Sequence, residues 1–181
     1  MSFTGGFFEG GEVVSLAKGK RMIAFKEWQV VCEALAAGRQ RVIFRKGGIH
    51  EGREGFAWKH GEFALFPTRF HAQREGVKRE DWAEFGEDGL SEWEEGQVVP
   101  VRWMCVVERA ETLESWEEIV ALSGEHVWTE EVVRERFEWE MKGMKGESLH
   151  VAWVETRELK EPLELDYAKG KYGGCRSWVE I

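Results

Sequence analysis

Phe25 to Gly48 reads FKEWQVVCEALAAGRQRVIFRKGG. The period of the apolar residues changes inside this stretch. Phe25, Trp28, Val31, Cys32 and Leu35 fall at helical spacing, and Gly38 supplies a stop, so the spacing predicts an amphipathic helix over Phe25–Ala37. Arg41–Arg45 then alternates, with Val42, Ile43 and Phe44 as strand formers, until Gly47-Gly48 breaks the strand. A helix followed by a strand that ends in two cations and two glycines sets the frame for the rest of the chain.

Upstream, Met1–Gly11 is Gly-rich and reads as loose, and Glu12–Leu16 as a short strand. Residues 1–24 are thus expected to form a loose N-terminal segment, and 25–181 a single domain, the usual outcome at this length. Downstream, Phe56–Trp58 and Glu62–Phe66 read as a hairpin closed near His60-Gly61, with Pro67 ending the second strand because it cannot donate to a ladder. Residues near 80–97 carry eight acids and no base from Glu80 to Glu95, which reads as a solvated acidic loop. Folded over the basic window described below, the same loop would act as an electrostatic gate.

Val98–Val107 and Leu149–Val154 read as strands, and Ser177–Ile181 as a last strand docked in a sheet. Ser115-Trp116-Glu117-Glu118 has the form of a capping box at a helix start, and Thr129 can cap a second helix over Thr129–Met141 with Val133, Phe137 and Met141 on one face. Strands and helices do not alternate regularly. The expected class is therefore α+β: a strongly curved, mostly antiparallel sheet or a small β-barrel with three or four flanking helices.

The chain has 25 basic and 34 acidic residues and a net charge of −9, unlike a domain that binds polyanions over its whole surface. Yet Arg39–Arg79 holds ten basic residues and four acids, a local excess of +6 that also contains three of the five histidines. A positive field inside an acidic protein can gather one anionic group while the remaining surface repels bulk polyanion. Arg45, Lys46, Gly47 and Gly48 are the anion-binding candidates: two cations leave a strand end, and glycines let backbone amides approach a phosphate or carboxylate closely. Thr68 joins them, from Leu65-Phe66-Pro67-Thr68, a strand end that would also fix His71. The GxxxxGK[ST] spacing of a P-loop is absent.

His60, His71, Glu51 and Glu62 are the candidate acid–base residues, because an imidazole beside a carboxylate can move a proton near neutral pH. No metal site, cofactor motif or GxSxG elbow emerges. Cys32, Cys105 and Cys175 are odd in number and form no CxxC pair, which fits reduced cytoplasmic thiols, with Cys175 expected as a buried structural one. Met1–Gly11 lacks the pattern of a secretory signal, and no apolar run of membrane-spanning length occurs, so no membrane partner is expected.

Phe25-Lys26-Glu27-Trp28, Arg45-Lys46-Gly47-Gly48-Ile49 with Glu51, Phe66-Pro67-Thr68 with His71, and Gly174-Cys175-Arg176-Ser177-Trp178-Val179 together resemble the bacterial family catalogued as domain of unknown function 1802, over Phe25 to Ile181. The resemblance carries no established activity. Members joined to restriction-endonuclease-like domains imply a role around restriction–modification. Three functions follow as expectations: an anion-binding module that recognises nucleic acid or a nucleotide; a small hydrolase-like enzyme that uses the His/Glu pair on an anionic substrate; and a non-catalytic protein-interaction subunit, for which the ten tryptophans are also suited. A homodimer is compatible with each.

Overall fold

The computed structural model describes residues 22–46, 57–70, 72–140 and 146–181. The chain runs β1 (Ile23–Trp28), α1 (Gln29–Ala36), β2 (Val42–Arg45), β3 (Glu62–Thr68), α2 (Arg79–Phe85), β4 (Val98–Leu113), α3 (Trp116–Ala121), a 3-10 turn (Ser123–Glu125), α4 (Glu130–Glu138), β5 (Leu149–Asp166), α5 (Lys169–Tyr172) and β6 (Trp178–Glu180). The expected strand at Glu12–Leu16 lies outside the described residues.

The six strands form one sheet in the order β2-β5-β4-β3-β1-β6. Only β1 and β3 are parallel; the other neighbours are antiparallel. The α+β class and the antiparallel majority hold, but the sheet is open, with β2 and β6 at opposite edges, and there is no barrel. Five α-helices flank it among the described residues, where three or four were expected.

The first turn of the expected helix is instead the inner half of a strand. Phe25 and Trp28 fit helical spacing, but Ala24 to Trp28 pair in parallel with Ala64 to Thr68, and the helix starts only at Gln29. A tertiary partner about forty residues away overrides the local period. Of the expected hairpin before β3, Phe56 lies outside the described residues and residues 57–60 form no strand; β3 pairs instead with β1 and β4. Pro67 lies within β3 rather than after it. Its register partner on β1 is Glu27, and β4 pairs only with Glu62–Ala64, so the flank that Pro67 turns away from β1 needs no N–H there.

Alternate residues of β1 and β3 feed two cores. Phe25, Phe63 and Leu65 pack with α1, Phe44 and Trp128. Ala24, Ala64 and Phe66 pack on the opposite side with Met104 and Tyr172. The two caps read from sequence are present: Ser115 Oγ accepts from Glu118 N and Thr129 Oγ1 from Val132 N, each at 3.4 Å. β6 docks antiparallel on β1, so the chain end is held in the sheet as expected.

The acidic stretch is not a simple solvated loop. Its first part is α2, whose Asp81 is buried and takes a two-pronged contact from Arg39, Nε to Oδ1 at 2.7 Å and Nη2 to Oδ2 at 2.9 Å. Cys175 is exposed, against the expectation of a buried thiol; Cys32 and Cys105 are buried, and all three are free.

Candidate functional site

Parallel neighbours β1 and β3 both end at one rim of the sheet, at Trp28 and Thr68. The chain leaves both strands there, which opens space beyond their carboxyl ends. Arg45 and Lys46, at the end of β2, line the same space although β2 runs antiparallel to β1 and β3, and the turn between α5 and β6 adds Gly173 to Ser177. The result is a cleft of about 740 Å³. Its walls carry six cations (Lys26, Arg45, Lys46, Arg69, Arg136 and Arg176) against two carboxylates, Glu27 and Glu92. Trp28, Phe70, Trp93, Tyr167 and Tyr172 supply aromatic surface.

A second cleft of about 700 Å³, between α1, α2 and β4, has a different balance: Glu33, Glu84 and Glu87 against Arg69 and Arg102. Burial pushes the Glu33 carboxyl pKa up there. Only the first cleft is strongly cationic.

Glu27 organises that cleft. Its carboxylate is buried, accepts from Trp28 N at 2.8 Å and receives Arg45 Nη1 at 2.9 Å. Arg45 also donates to Phe44 O and Lys26 O and lies over the Phe25 ring, 4.2 Å from its centroid. Thr68 Oγ1 donates to Glu27 O at 2.9 Å, locking the ends of β1 and β3 together.

The two lysines are held by carbonyls. Lys26 Nζ reaches Tyr172 O and Gly174 O, both at 2.7 Å, and so fastens the α5–β6 turn to the cleft. That turn needs glycine: Gly174 has φ +75°, and a Cβ at Gly173 would lie 2.5 Å from Lys169 O. Lys46 Nζ reaches Phe137 O at 2.7 Å and Ser148 O at 2.9 Å. Burial pushes both ammonium pKa values down. Carbonyl dipoles satisfy these donors without cancelling their charge; at Lys46, Glu140 and Glu147 offset part of it.

Arg136 has no such satisfaction. It lies over the rings of Trp28 and Trp128, 5.1 and 4.9 Å from their centroids, and its Nη1 is shielded from solvent with no hydrogen-bond partner. Burial pushes its pKa down to about 10; Glu27 opposes that shift and Arg45 reinforces it. Glu27 is therefore shared between two guanidinium groups, with exposed Glu135 adding a weaker field on Arg136.

The acidic segment reaches this region. Trp93 Nε1 donates to Pro67 O at 2.8 Å, and the Arg69 guanidinium stacks 3.5 Å from the Trp93 ring centroid. Glu95 accepts from Lys169 N at 2.8 Å, which ties the same segment to α5. Arg74 pairs with Asp88 at 3.1 Å. Part of the basic window is thus neutralised away from the cleft: Arg39 by Asp81 and Arg74 by Asp88, while Lys78 caps carbonyls of Ser123 and His126.

Of the residues singled out in the sequence, Arg45, Lys46 and Thr68 meet in the cleft, joined by Ser177. Gly47, Gly48, Glu51 and His71 lie outside the described residues. His60 and Glu62 stand at the opposite end of β3, where His60 meets Trp178 edge to face at 4.9 Å between centroids and Glu62 is exposed. Neither lines the cleft.

Sequence reasoning missed Lys26 and Glu27 as site residues, because a helix reading gives them the wrong neighbours. It also missed Arg136, for which a signal existed. Arg134 has Glu130 and Glu138 one turn away on either side and pairs with both. Arg136 instead follows Val132 by four residues and Val133 by three, which puts a cation beside the apolar stripe.

Known proteins bear on this architecture. Its fold is similar to crystal structures of the ASCH protein of Zymomonas mobilis, with TM-score 0.52 at 12% identity over 88% of this chain and 86% of that one. Two point variants of the same protein give TM-scores of 0.51 and 0.52 at 13% and 14% identity, over 88% of this chain and 87% and 88% of theirs. At that identity the likeness is one of fold. No curated protein matches the sequence. The family model of DUF1802 matches residues 24–181, strands, cleft and C-terminal turn included, and the chain belongs to that family, described as a domain of unknown function.

Proposed function

We propose that the protein is a binding module for nucleic acid or a nucleotide, which it takes through an anionic group in the cleft at the ends of β1, β2 and β3. The observation that carries this reading is the charge of one cleft: six cations against two carboxylates in a chain of net charge −9. Concentrating positive charge in one concave place and acid elsewhere favours a discrete anion over a long polyanion. Aromatic walls add surface on which a base can stack, a contact worth about 1–3 kcal/mol per base. The volume suits a single ligand unit, since ligand clefts run to about 300–1,000 Å³. The link to restriction–modification implied by the family resemblance makes DNA as well as RNA a ligand to test.

The test is fluorescence anisotropy of labelled single-stranded RNA and DNA at about 50 and 200 mM salt, where phosphate contacts give a salt-dependent affinity. Arg176 is exposed and donates to Lys171 O at 3.1 Å, so Arg176→Ala should weaken binding and reduce the salt slope by about one contact without harming the fold. Binding absent at low salt, or present with no dependence on Arg176 or salt, would sink the reading.

A further inference from the structure

The inner end of the cleft has an electrostatic imbalance. Phe44, fully buried, contributes to the cleft lining, and Trp128, also fully buried, stacks against Phe44 at 5.5 Å between centroids. Arg136 covers Trp128 at the same end. Two buried donors there have no acceptor: Arg136 Nη1 and Trp128 Nε1. Glu27, the one buried carboxylate nearby, is already engaged by Arg45 and by the Trp28 amide. An unmade hydrogen bond from a buried charged group is costly, so native structures keep one only where something compensates for it.

The imbalance has a sign. Neutral donors without partners would accept any carbonyl or hydroxyl. Here a guanidinium with an unsatisfied donor accompanies the indole, and two further ammonium groups line the same cleft with carbonyls as hydrogen-bond acceptors: Lys26, and Lys46 with Glu140 and Glu147 in its field. The complement is a group with several acceptor oxygens and more than one negative charge. A phosphate monoester has about −1.5 to −2 charge at neutral pH and three acceptor oxygens, whereas an internal phosphodiester has a single charge. Buried aromatic rings close the inner end, so a chain cannot run on past it. The anion held there belongs to the end of a molecule.

We infer that the inner cleft is a site for one terminal phosphate monoester, received by Arg136, with the Glu27–Arg45 pair as the positioning element behind it. A modest turn of the Arg136 guanidinium brings its free donor to the phosphate. The ligand is then a nucleoside monophosphate or the phosphorylated end of a strand. This rests on the proposed nucleic-acid or nucleotide reading and narrows it.

Three sets of probes test it: oligonucleotides with a 5′-phosphate, a 3′-phosphate or free hydroxyl ends; nucleoside monophosphates against their nucleosides; and inorganic phosphate alone. With wild-type protein, one phosphorylated end should bind at least about tenfold tighter than the hydroxyl end, and Arg136→Gln should erase that difference, while hydroxyl-ended binding falls by no more than the loss of one cleft cation, as in Arg176→Ala. Preference for a monophosphate over all strands assigns a free nucleotide as ligand; preference for a phosphorylated strand assigns a strand end. Should Arg136→Gln fail to fold, Arg136→Lys and a phosphate-dependent rise in wild-type Tm take its place. Equal affinity for phosphorylated and hydroxyl ends in the wild type overturns this inference and leaves the broader one standing. No binding by any probe overturns both.

Discussion

Glu27→Gln removes one negative charge from a place where two guanidinium groups depend on it. The carboxylate is 1% exposed and lies 2.9 Å from Arg45 Nη1. At that separation and an effective dielectric constant near 20, the gross attraction is about 6 kcal/mol. The isosteric amide keeps an acceptor for the Trp28 amide and for one Arg45 donor, so part of the loss is recovered. Breaking a buried pair by removing one partner costs about 3–5 kcal/mol, and the lower half of that range is expected here. Urea unfolding followed by tryptophan fluorescence reads the cost as a lower midpoint at unchanged slope. The same substitution leaves Arg45 and Arg136 in want of an anion, so added phosphate should restore stability. Saturation to about 100 times Kd returns about 2.7 kcal/mol. A loss below about 1 kcal/mol would refute the buried-charge reasoning, since surface-like pairs give values of that size. A full loss with no phosphate response would separate the fold's need for Glu27 from the cleft's affinity for anions.

Burial lowers the His126 pKa to about 3, so the folded protein binds fewer protons than the unfolded chain between that value and the ordinary one near 6.5. Stability from this group is complete above about pH 6.5 and falls, by up to about 4–5 kcal/mol, as pH drops to about 3; His126→Gln should flatten that part of the pH–stability curve, and an unchanged curve would contradict it. Thr129→Ala should cost about 1 kcal/mol in chemical unfolding, with Thr129→Ser within a few tenths of wild type. Glu92 lines the cleft mouth on the acidic segment, so Glu92→Gln should raise affinity for an anionic ligand about two- to fivefold, the scale of an exposed charge pair. An unchanged affinity would remove the gating role expected of that segment.

The parts of this fold legible in the sequence are those fixed by neighbours in the chain. Val42–Arg45 shows its strand character in four residues. Ser115 and Thr129 announce helix starts through the chemistry of their own side chains. The match of four scattered motifs to one family is borne out over nearly the whole chain. What escaped depends on residues far apart. β1 looks helical until Ala64–Thr68 is laid beside it, and Pro67 looks like a terminator until the parallel register shows its free flank. Whether a sheet closes depends on its two edge strands, β2 and β6, which no local pattern compares.

The candidate site divides in the same way. Arg45, Lys46 and Thr68 were visible as strand-end cations and a hydroxyl, and they do meet. Net charge over Arg39–Arg79 overstated the patch, because Asp81 and Asp88 neutralise two of its arginines from outside the window. Arg136 comes from ninety residues further along and enters only through the packing of α4 against Trp28 and Trp128.

A titration of wild-type protein with short single-stranded oligonucleotides at low and moderate salt addresses the cationic cleft most directly. The account predicts saturable binding that weakens with salt and is competed by a nucleoside monophosphate. Oligonucleotides that leave the protein unaffected at about 50 mM salt, with the fold intact, would contradict it.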